Sequence, residues 1–247
     1  MSLKGHVALV TGGGRNIGRA IVLELAARGA DVIVNTRANR DQAESVAREA
    51  RSLGRSALAV VGDVGRADDV RALAEKALSE FGKVDIVVNN AAIRPGKPFL
   101  EMADSEWHQV LGVDLHGAYY TSKAFLPGMV TQRWGRIVNL LGMNALQGYV
   151  ARAHVSAAKH GLWGLTKALA REFGPHGITV NAVSPGPIRT DQSDPAMARH
   201  VESQLSRIPL GRLGEPQDIA RLCGFLASDD GAFISGQVIG ANGAAQT

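Results

Sequence analysis

Residues 7–36 read VALVTGGGRNIGRAIVLELAARGADVIVNT and join two short apolar runs through a glycine cluster and an amphipathic segment. The runs Val7–Val10 and Val32–Asn35 are typical of buried strands in a parallel sheet. Between them, Ile21 and Leu25 stand four positions apart and therefore share one face of a helix. The stretch predicts a β-α-β unit with a glycine-rich turn between its first strand and its helix.

The same alternation continues through the rest of the chain and is typical of right-handed βαβ crossovers. The predicted strands are Val7–Val10, Val32–Asn35, Leu58–Val61, Ile86–Val88, Ile137–Leu141, Thr179–Val183 and Gln237–Gly240. The predicted helices are Ile17–Arg28, Arg40–Leu53, Asp68–Phe81, Ala153–Phe173 and Glu215–Ala227. We therefore predict an α/β protein in which residues 1–247 form a single-domain, doubly wound Rossmann fold with a parallel seven-stranded sheet.

The composition fits one globular domain. Of the 247 residues, 45% are hydrophobic and 20% are charged, as is usual for globular proteins. The net charge is only +4, and the lysines and arginines are scattered along the chain. A nucleic-acid partner would instead require a stripe of basic residues. No apolar run is long enough to span a membrane, and the N-terminus does not resemble a signal peptide. We expect a cytoplasmic protein with a small-molecule substrate and neither a nucleic-acid nor a membrane partner.

The chain has one cysteine, Cys223, so no intrachain disulfide can form. It lies in the apolar run Leu222–Leu226 and is expected to be buried. No Cys/His cluster has the spacing of a zinc site, and no metal is expected.

Residues 185–213 form the longest weakly patterned stretch and contain four of the nine prolines. Long irregular segments in compact domains are usually functional. This one follows the carboxyl end of a predicted strand, where ligands bind in open α/β sheets. We predict a lid over a substrate pocket, with a mobile surface loop as the alternative.

The glycine-rich turn reads TGGGRNIG at residues 11–18 and opens the first helix. Such a turn lets the backbone approach a pyrophosphate and points the helix N-terminus at its negative charge. A dinucleotide site is therefore predicted, the alternative being a tight turn without a ligand.

Several motifs then resemble those of the short-chain dehydrogenase/reductase family. Thr11, Gly12 and Gly18 match its fingerprint Thr-Gly-x-x-x-Gly-x-Gly, and Asn16 stands at the middle glycine, where it can adopt left-handed backbone. Further similarities lie at Asp63-Val64, at NNAA (residues 89–92), at NAVSPGPIRT (181–190) and at residues 212–216 and 225–229. The resemblance covers almost the whole chain, and the flanking residues are most similar to bacterial 3-oxoacyl-carrier-protein reductases.

The resemblance implies a nicotinamide cofactor. The residues expected to bind it are Gly12, Arg15, Asn16, Ile17, Gly18, Thr36, Arg37, Asp63, Val64, Asn90, Ala91, Lys159, Pro185, Gly186 and Ile188. An acid at the end of strand two would select NAD(H). That end reads Asn35-Thr36-Arg37, and Arg15 is a second nearby cation, so NADP(H) is favoured and NAD(H) remains the alternative. The alternative for both arginines is that they are solvated surface charges.

The catalytic residues of the family are Asn, Ser, Tyr and Lys, and the resemblance carries over only Lys159. Gly142 stands at the position of the serine, Val155 at that of the tyrosine and Asp114 at that of the asparagine. Tyr149 and His154 are possible replacements, although His154 should point about 140° away from Lys159 around the helix.

Asp114, His154 and Lys159 resemble the pattern of peroxisomal 2,4-dienoyl-CoA reductases, which also lack the tyrosine. This resemblance implies that Asp114 positions a water as proton donor, the alternative being a purely structural role. We therefore predict an NADP(H)-dependent reductase of a carbonyl or conjugated C=C bond, in a small molecule or an acyl thioester. The alternatives are a catalytically inactive NADP(H)-binding homologue, as a pseudoenzyme or regulatory protein, and a non-redox enzyme. Family resemblance, together with the apolar segment Phe233–Ile239, implies a homotetramer.

Overall fold

Seven parallel strands form a single sheet in the order β3-β2-β1-β4-β5-β6-β7. The structure is a computed structural model that describes residues 2–191, 199 and 202–246. The strands are β1 (Val7–Val10), β2 (Asp31–Thr36), β3 (Ala57–Val61), β4 (Ile86–Asn89), β5 (Gly135–Leu140), β6 (Ile178–Pro185) and β7 (Val238–Ala241). The predicted α/β class and the doubly wound, seven-stranded parallel sheet are confirmed.

Helices connect the strands and cover both faces of the sheet. They are α1 (Asn16–Ala27), α2 (Arg40–Ser52), α3 (Ala67–Phe81), α4 (Asp104–Leu111), α5 (Gly117–Gln132), α6 (Met143–Gln147), α7 (Ala153–Phe173) and α8 (Pro216–Leu226). A π-helical turn, Gly112–His116, joins α4 to α5. The predicted strands and helices agree with these bounds to within two residues, but α4, α5 and α6 were not among them.

The core has two layers because successive strand residues point to opposite faces of the sheet. On one face, Val10 of β1 packs in a cluster with Ile21 of α1 and with apolar residues of α2 and α8. On the other face, Leu9 of β1 packs with Leu73 of α3 and with apolar residues of α5 and α7. Cys223 of α8 is fully buried in the first cluster, as its apolar surroundings predict.

The chain changes direction across the sheet between β1 and β4, and a crevice opens there at the carboxyl ends of the strands. The amide of Thr11 donates to the Val88 carbonyl (3.0 Å), which keeps the ends of β1 and β4 together. Behind the crevice, a buried chain of hydrogen bonds joins Asn89 to Asn139 (2.8 Å) and Asn139 to Thr166 (2.9 Å). This chain ties α7 to the two central strands.

Of the predicted lid, 185–213, residues 192–198, 200 and 201 lie outside the described part of the chain. Ile188 pairs with Gly214 in an isolated bridge, so the two ends of the segment are joined at its base. We call residues 185–191 the lid stem.

None of the helices in the described part of the chain could span a bilayer.

Candidate active site

The glycine-rich turn brings the start of α1 to the mouth of the crevice. Gly12 has a φ of +63°, and a Cβ at Gly18 would collide with the Gly12 carbonyl oxygen, so both positions require glycine. No described side chain caps α1, and its first turn carries no acid, whereas α2 and α3 each have acids there. The helix therefore presents uncapped N–H groups and positive dipole charge, which suits a pyrophosphate.

Asn16 has a φ of +49°, so it does adopt the left-handed backbone of the glycine that it replaces. Its side-chain amide both donates a hydrogen bond to the lid stem and accepts one from it. Its Nδ2 donates to the Asp191 carbonyl (3.3 Å), and its Oδ1 accepts from the Asp191 amide (3.0 Å). The phosphate loop and the lid stem are thereby joined across 175 positions of sequence.

The residues expected around the adenosine half lie at the ends of β2 and β3. Thr36 is buried and donates to the Asn39 carbonyl (2.8 Å), and Val64 is buried beneath Asp63. Arg15 and Arg37 are exposed, and neither has a carboxylate partner among the described residues. Two unpaired guanidinium groups and no acid at the end of β2 fit a ribose that carries a 2′-phosphate.

A cavity of about 290 Å³ runs from α1 to the lid stem. It brings together these predicted site residues: Ile17, Asn90, Gly142, Tyr149, Lys159, Pro185, Gly186 and Ile188. Asn90 is fixed by Nδ2 bonds to the carbonyls of Thr11 (2.8 Å) and Gly12 (3.1 Å). The neighbouring Ala91 amide donates to the Thr11 hydroxyl (3.0 Å).

Lys159, which lines this cavity, forms a buried ion pair with Asp114, which does not line it. Their side chains are 3% and 0% exposed, and Lys159 Nζ lies 3.2 Å from Asp114 Oδ2. Lys159 also donates to the Leu140 carbonyl (2.9 Å), and Asp114 Oδ1 accepts from the Ile93 amide (2.8 Å). Asp114, which stands where the resemblance leads one to expect an asparagine, thus supplies a counter-charge for the lysine.

Asp114 lines a second, much smaller cavity of about 10 Å³, behind the ion pair. Its Oδ2 is buried and makes no hydrogen bond to any described group, although Lys159 is close. The ionic partner of this oxygen is the Lys159 ammonium, 3.2 Å away, and the small cavity has about the volume of one water.

The positions at which the resemblance leads one to expect a serine and a tyrosine, Gly142 and Val155, differ in their surroundings. Gly142 lines the large cavity, and a Cβ there would meet no described atom within 4 Å. Val155 is fully buried among Val110, Ala158 and other apolar residues, outside that cavity. A serine would fit at the first position, whereas a tyrosine at the second would have to displace packed side chains.

Tyr149 and His154, the possible replacements for the expected tyrosine, lie in different parts of the structure. Tyr149 lines the large cavity with Lys159. His154 is fully buried outside it, and neither of its ring nitrogens has a hydrogen-bond partner among the described residues. The predicted helical angle between His154 and Lys159 accounts for this separation.

The cavity wall also contains Arg94, Asn144 and Arg152, none of which belongs to a sequence motif described above. Arg94 follows the NNAA motif after β4, and Arg152 immediately precedes α7. Their place next to two recognised motifs was the only signal in the sequence.

The chain is similar to known proteins over almost its whole length. The family described as enoyl-(acyl carrier protein) reductase matches residues 12–244. The 3-oxoacyl-[acyl-carrier-protein] reductase FabG of Pseudomonas aeruginosa is 43% identical over 243 residues, or 98% of each chain. FabG of Staphylococcus aureus is 41% identical over 236 residues, or 96% of each chain. A solved structure from Sinorhizobium meliloti, assigned as a short-chain alcohol dehydrogenase, is 34% identical with a TM-score of 0.92, covering 98% of this chain and 96% of that one.

Proposed function

This chain belongs to the short-chain dehydrogenase/reductase family, and we propose that it is an NADP(H)-dependent oxidoreductase with an altered catalytic centre. The observation that carries the proposal is the Lys159–Asp114 ion pair, whose lysine lines a cavity that extends to the uncapped start of α1, after the glycine-rich turn. When bound, NADPH supplies a hydride to the substrate. The substrate is a carbonyl or conjugated C=C compound, either a small molecule or an acyl thioester.

The protein's own residues hold the cofactor and position the proton donor. The first turn of α1 binds the pyrophosphate, Arg15 and Arg37 bind the 2′-phosphate, and Lys159 holds the nicotinamide ribose. Asp114 stabilises positive charge on Lys159, and through Lys159 it would position a water in the large cavity as proton donor. The O–H bond of this water breaks as the proton is transferred to the reduced substrate, and the hydroxide left behind is reprotonated by solvent that enters the large cavity.

Two hydride acceptors are compatible with this centre. The matching family is described as enoyl reductase, a name that implies reduction of a C=C bond. The FabG relatives are named 3-oxoacyl reductases, which implies reduction of a C=O bond. By the resemblance, Val155 stands where the family's proton-donating tyrosine is expected, and it is fully buried. Reduction of a conjugated C=C passes through an enolate and needs a weaker acid, so Val155 favours that acceptor.

The test is NADPH oxidation by the purified protein, with 2,4-hexadienoyl-CoA or acetoacetyl-CoA as acceptor and NADPH binding measured in the same sample. We expect binding and turnover, with turnover reduced about 100-fold or more in Asp114→Ala, the range of an acid–base contribution. The control Asp104→Ala removes a carboxylate at the exposed start of α4 and should leave turnover unchanged. Absence of NADPH binding would overturn the proposal.

A catalytically inactive NADP(H)-binding protein is the second candidate, and the open space at Gly142 and the packed Val155 favour it. It predicts NADPH binding without turnover of either acceptor, in the unmodified protein as in Asp114→Ala. A non-redox enzyme would instead consume substrate with no change in the absorbance of NADPH.

A homotetramer is part of the proposal. An apolar groove between α5 and α7 is lined by Leu126, Val130 and Leu169, and Phe233 is fully exposed in the single chain. Exposed apolar surface of this kind suits contacts between copies of the chain. The molar mass in solution, from light scattering, tests the tetramer, and a cytoplasmic location remains a prediction.

A further inference from the structure

The large cavity has an unbalanced positive charge on its wall. Three cations, Arg94, Arg152 and Lys159, line it, and no Asp or Glu of the described chain does. The charge of Lys159 is matched by Asp114 from behind. Neither Arg94 nor Arg152 has a carboxylate partner among the residues that the structure describes.

Arg152 is held in place like a binding group rather than a surface charge. Its guanidinium lies 4.3 Å from the centre of the Tyr149 ring, and its Nε donates to the Arg94 carbonyl (3.1 Å). The side chain is partly buried, and its terminal NH₂ groups have no partner in the described part of the chain. A guanidinium fixed on one edge, with the other edge open, can bind an oxyanion with two parallel hydrogen bonds.

The backbone around Arg152 supports the same conclusion. The preceding residue, Ala151, has a φ of +56°, which is unfavourable for a residue with a Cβ. Its carbonyl accepts from the Lys97 amide (2.7 Å), which joins the segment after β4 to the start of α7. Strained backbone of this kind persists where the surroundings fix it, and it is concentrated at ligand sites.

We propose that Arg152, assisted by Arg94, binds an anionic group of the substrate, so that the substrate is an oxo or enoyl compound that also carries a negative charge. This inference rests on the proposed function, because it concerns the substrate of the same cavity. Arg152 and Lys159 line one cavity, which the nicotinamide half of the cofactor would share with the substrate. The anionic group is therefore a carboxylate close to the reacting carbon, and a phosphate of a thioester carrier is the other source of the same chemistry.

The test compares charged ligands with their neutral counterparts on the NADPH complex, using NADPH fluorescence. The probes are acetoacetate, 4-oxopentanoate and 5-oxohexanoate, each beside its methyl ester, together with acetoacetyl-CoA. In the unmodified protein we expect at least one acid to bind about 10- to 100-fold more tightly than its ester, as hydrogen bonds to a charged group require. Arg152→Gln should abolish that preference and leave ester binding unchanged, with Arg152→Lys intermediate.

Arg71→Gln is the matched control, because Arg71 is an exposed arginine of α3 that pairs with Asp68. It removes the same charge and should leave the acid preference intact. Weakened binding of acetoacetyl-CoA alone in Arg152→Gln would assign the site to a carrier phosphate. Normal NADPH binding with no acid preference and no effect on acetoacetyl-CoA would overturn the inference, whereas failure to bind NADPH would count against the proposed function instead.

Discussion

Asn16 is hydrogen-bonded to both backbone polar groups of Asp191, so one side-chain amide joins the phosphate loop to the stem of the lid. A glycine at this position would permit the same left-handed backbone but would make neither bond. The departure from the family fingerprint therefore adds a contact without disturbing the turn.

Asn16→Gly should leave NADPH binding within about twofold, because the turn keeps its backbone conformation and Gly lacks the left-handed strain. Exchange of the Asp191 amide hydrogen should become about 5- to 10-fold faster, as expected for one lost hydrogen bond. Hydrogen exchange read by mass spectrometry measures this. Asn16→Asp, which keeps the Oδ1 acceptor, is the control, and equal exchange in Asn16→Gly and the unmodified protein would contradict the prediction.

The Lys159–Asp114 pair should be strongly coupled in stability. Lys159→Met leaves a buried carboxylate without its cation and should lower the free energy of unfolding by about 3–5 kcal/mol. Lys159→Met combined with Asp114→Asn should be more stable than Lys159→Met alone, because the unpaired charge is gone. Urea unfolding of the four proteins gives the coupling energy. Additive effects would show that the two charges do not interact.

Asp85 should make stability depend on acid pH. Burial raises the pKa of its carboxyl, but the neighbouring His6 ring, hydrogen bonds from the Val7 amide and Gln132, and the Lys83 ammonium outweigh burial, so that the pKa is lowered. The carboxylate therefore stabilises the fold above its unfolded pKa of about 3.9, and this contribution is lost as the pH falls through the lower folded pKa.

Asp85→Asn should lower the free energy of unfolding by about 1–3 kcal/mol at neutral pH, the value for bonds to a charged group. The difference from the unmodified protein should shrink below about pH 4. Thermal unfolding across this range is the measurement, with Asp68→Asn on the exposed surface as control. A difference that does not change with pH would exclude the carboxylate charge as its cause.

Cys223 should not react with thiol reagents in the native protein. The side chain is fully buried, and burial raises the pKa of its thiol to about 12. Thiolate, the reactive form, is then scarce at neutral pH. A disulfide reagent should label Cys223 only after unfolding by urea, and rapid labelling of the native protein would show that α8 opens readily.

Much of the fold could be predicted from the sequence because buried parallel strands are short β-branched runs with clear ends. The region of α4 and α5 was harder. Gly112, Gly117 and Pro127 interrupt the apolar periodicity there, and a π-helical turn replaces a regular junction. Helices α4 and α5 form despite these residues because α4 packs against α7 and α5 packs against α3, and this tertiary packing stabilises them.

The candidate site was predictable only where its residues lie in contiguous motifs. The glycine-rich loop and Lys159 are of this kind. The Asn16–Asp191 bonds and the Arg94–Arg152 contact join residues 175 and 58 positions apart, and no local pattern reports such contacts. The sequence motifs placed Asp114 and Lys159 among the site residues. That their side chains form an ion pair could be seen only from the folded structure, which gives the distance between them.

Transfer of deuterium from NADPH to the acceptor tests the central claim, hydride transfer by a centre without the usual serine and tyrosine, most directly. NADPH deuterated at both C4 positions is incubated with the protein and with acetoacetyl-CoA, 2,4-hexadienoyl-CoA or the oxo acids above. Mass spectrometry of the product should find one deuterium for each NADPH oxidised, and the amount of deuterated product formed in a fixed time should fall about 100-fold or more in Asp114→Ala. NADPH binding with no deuterium in any product would contradict the account and leave an NADP(H)-binding protein without reductase activity.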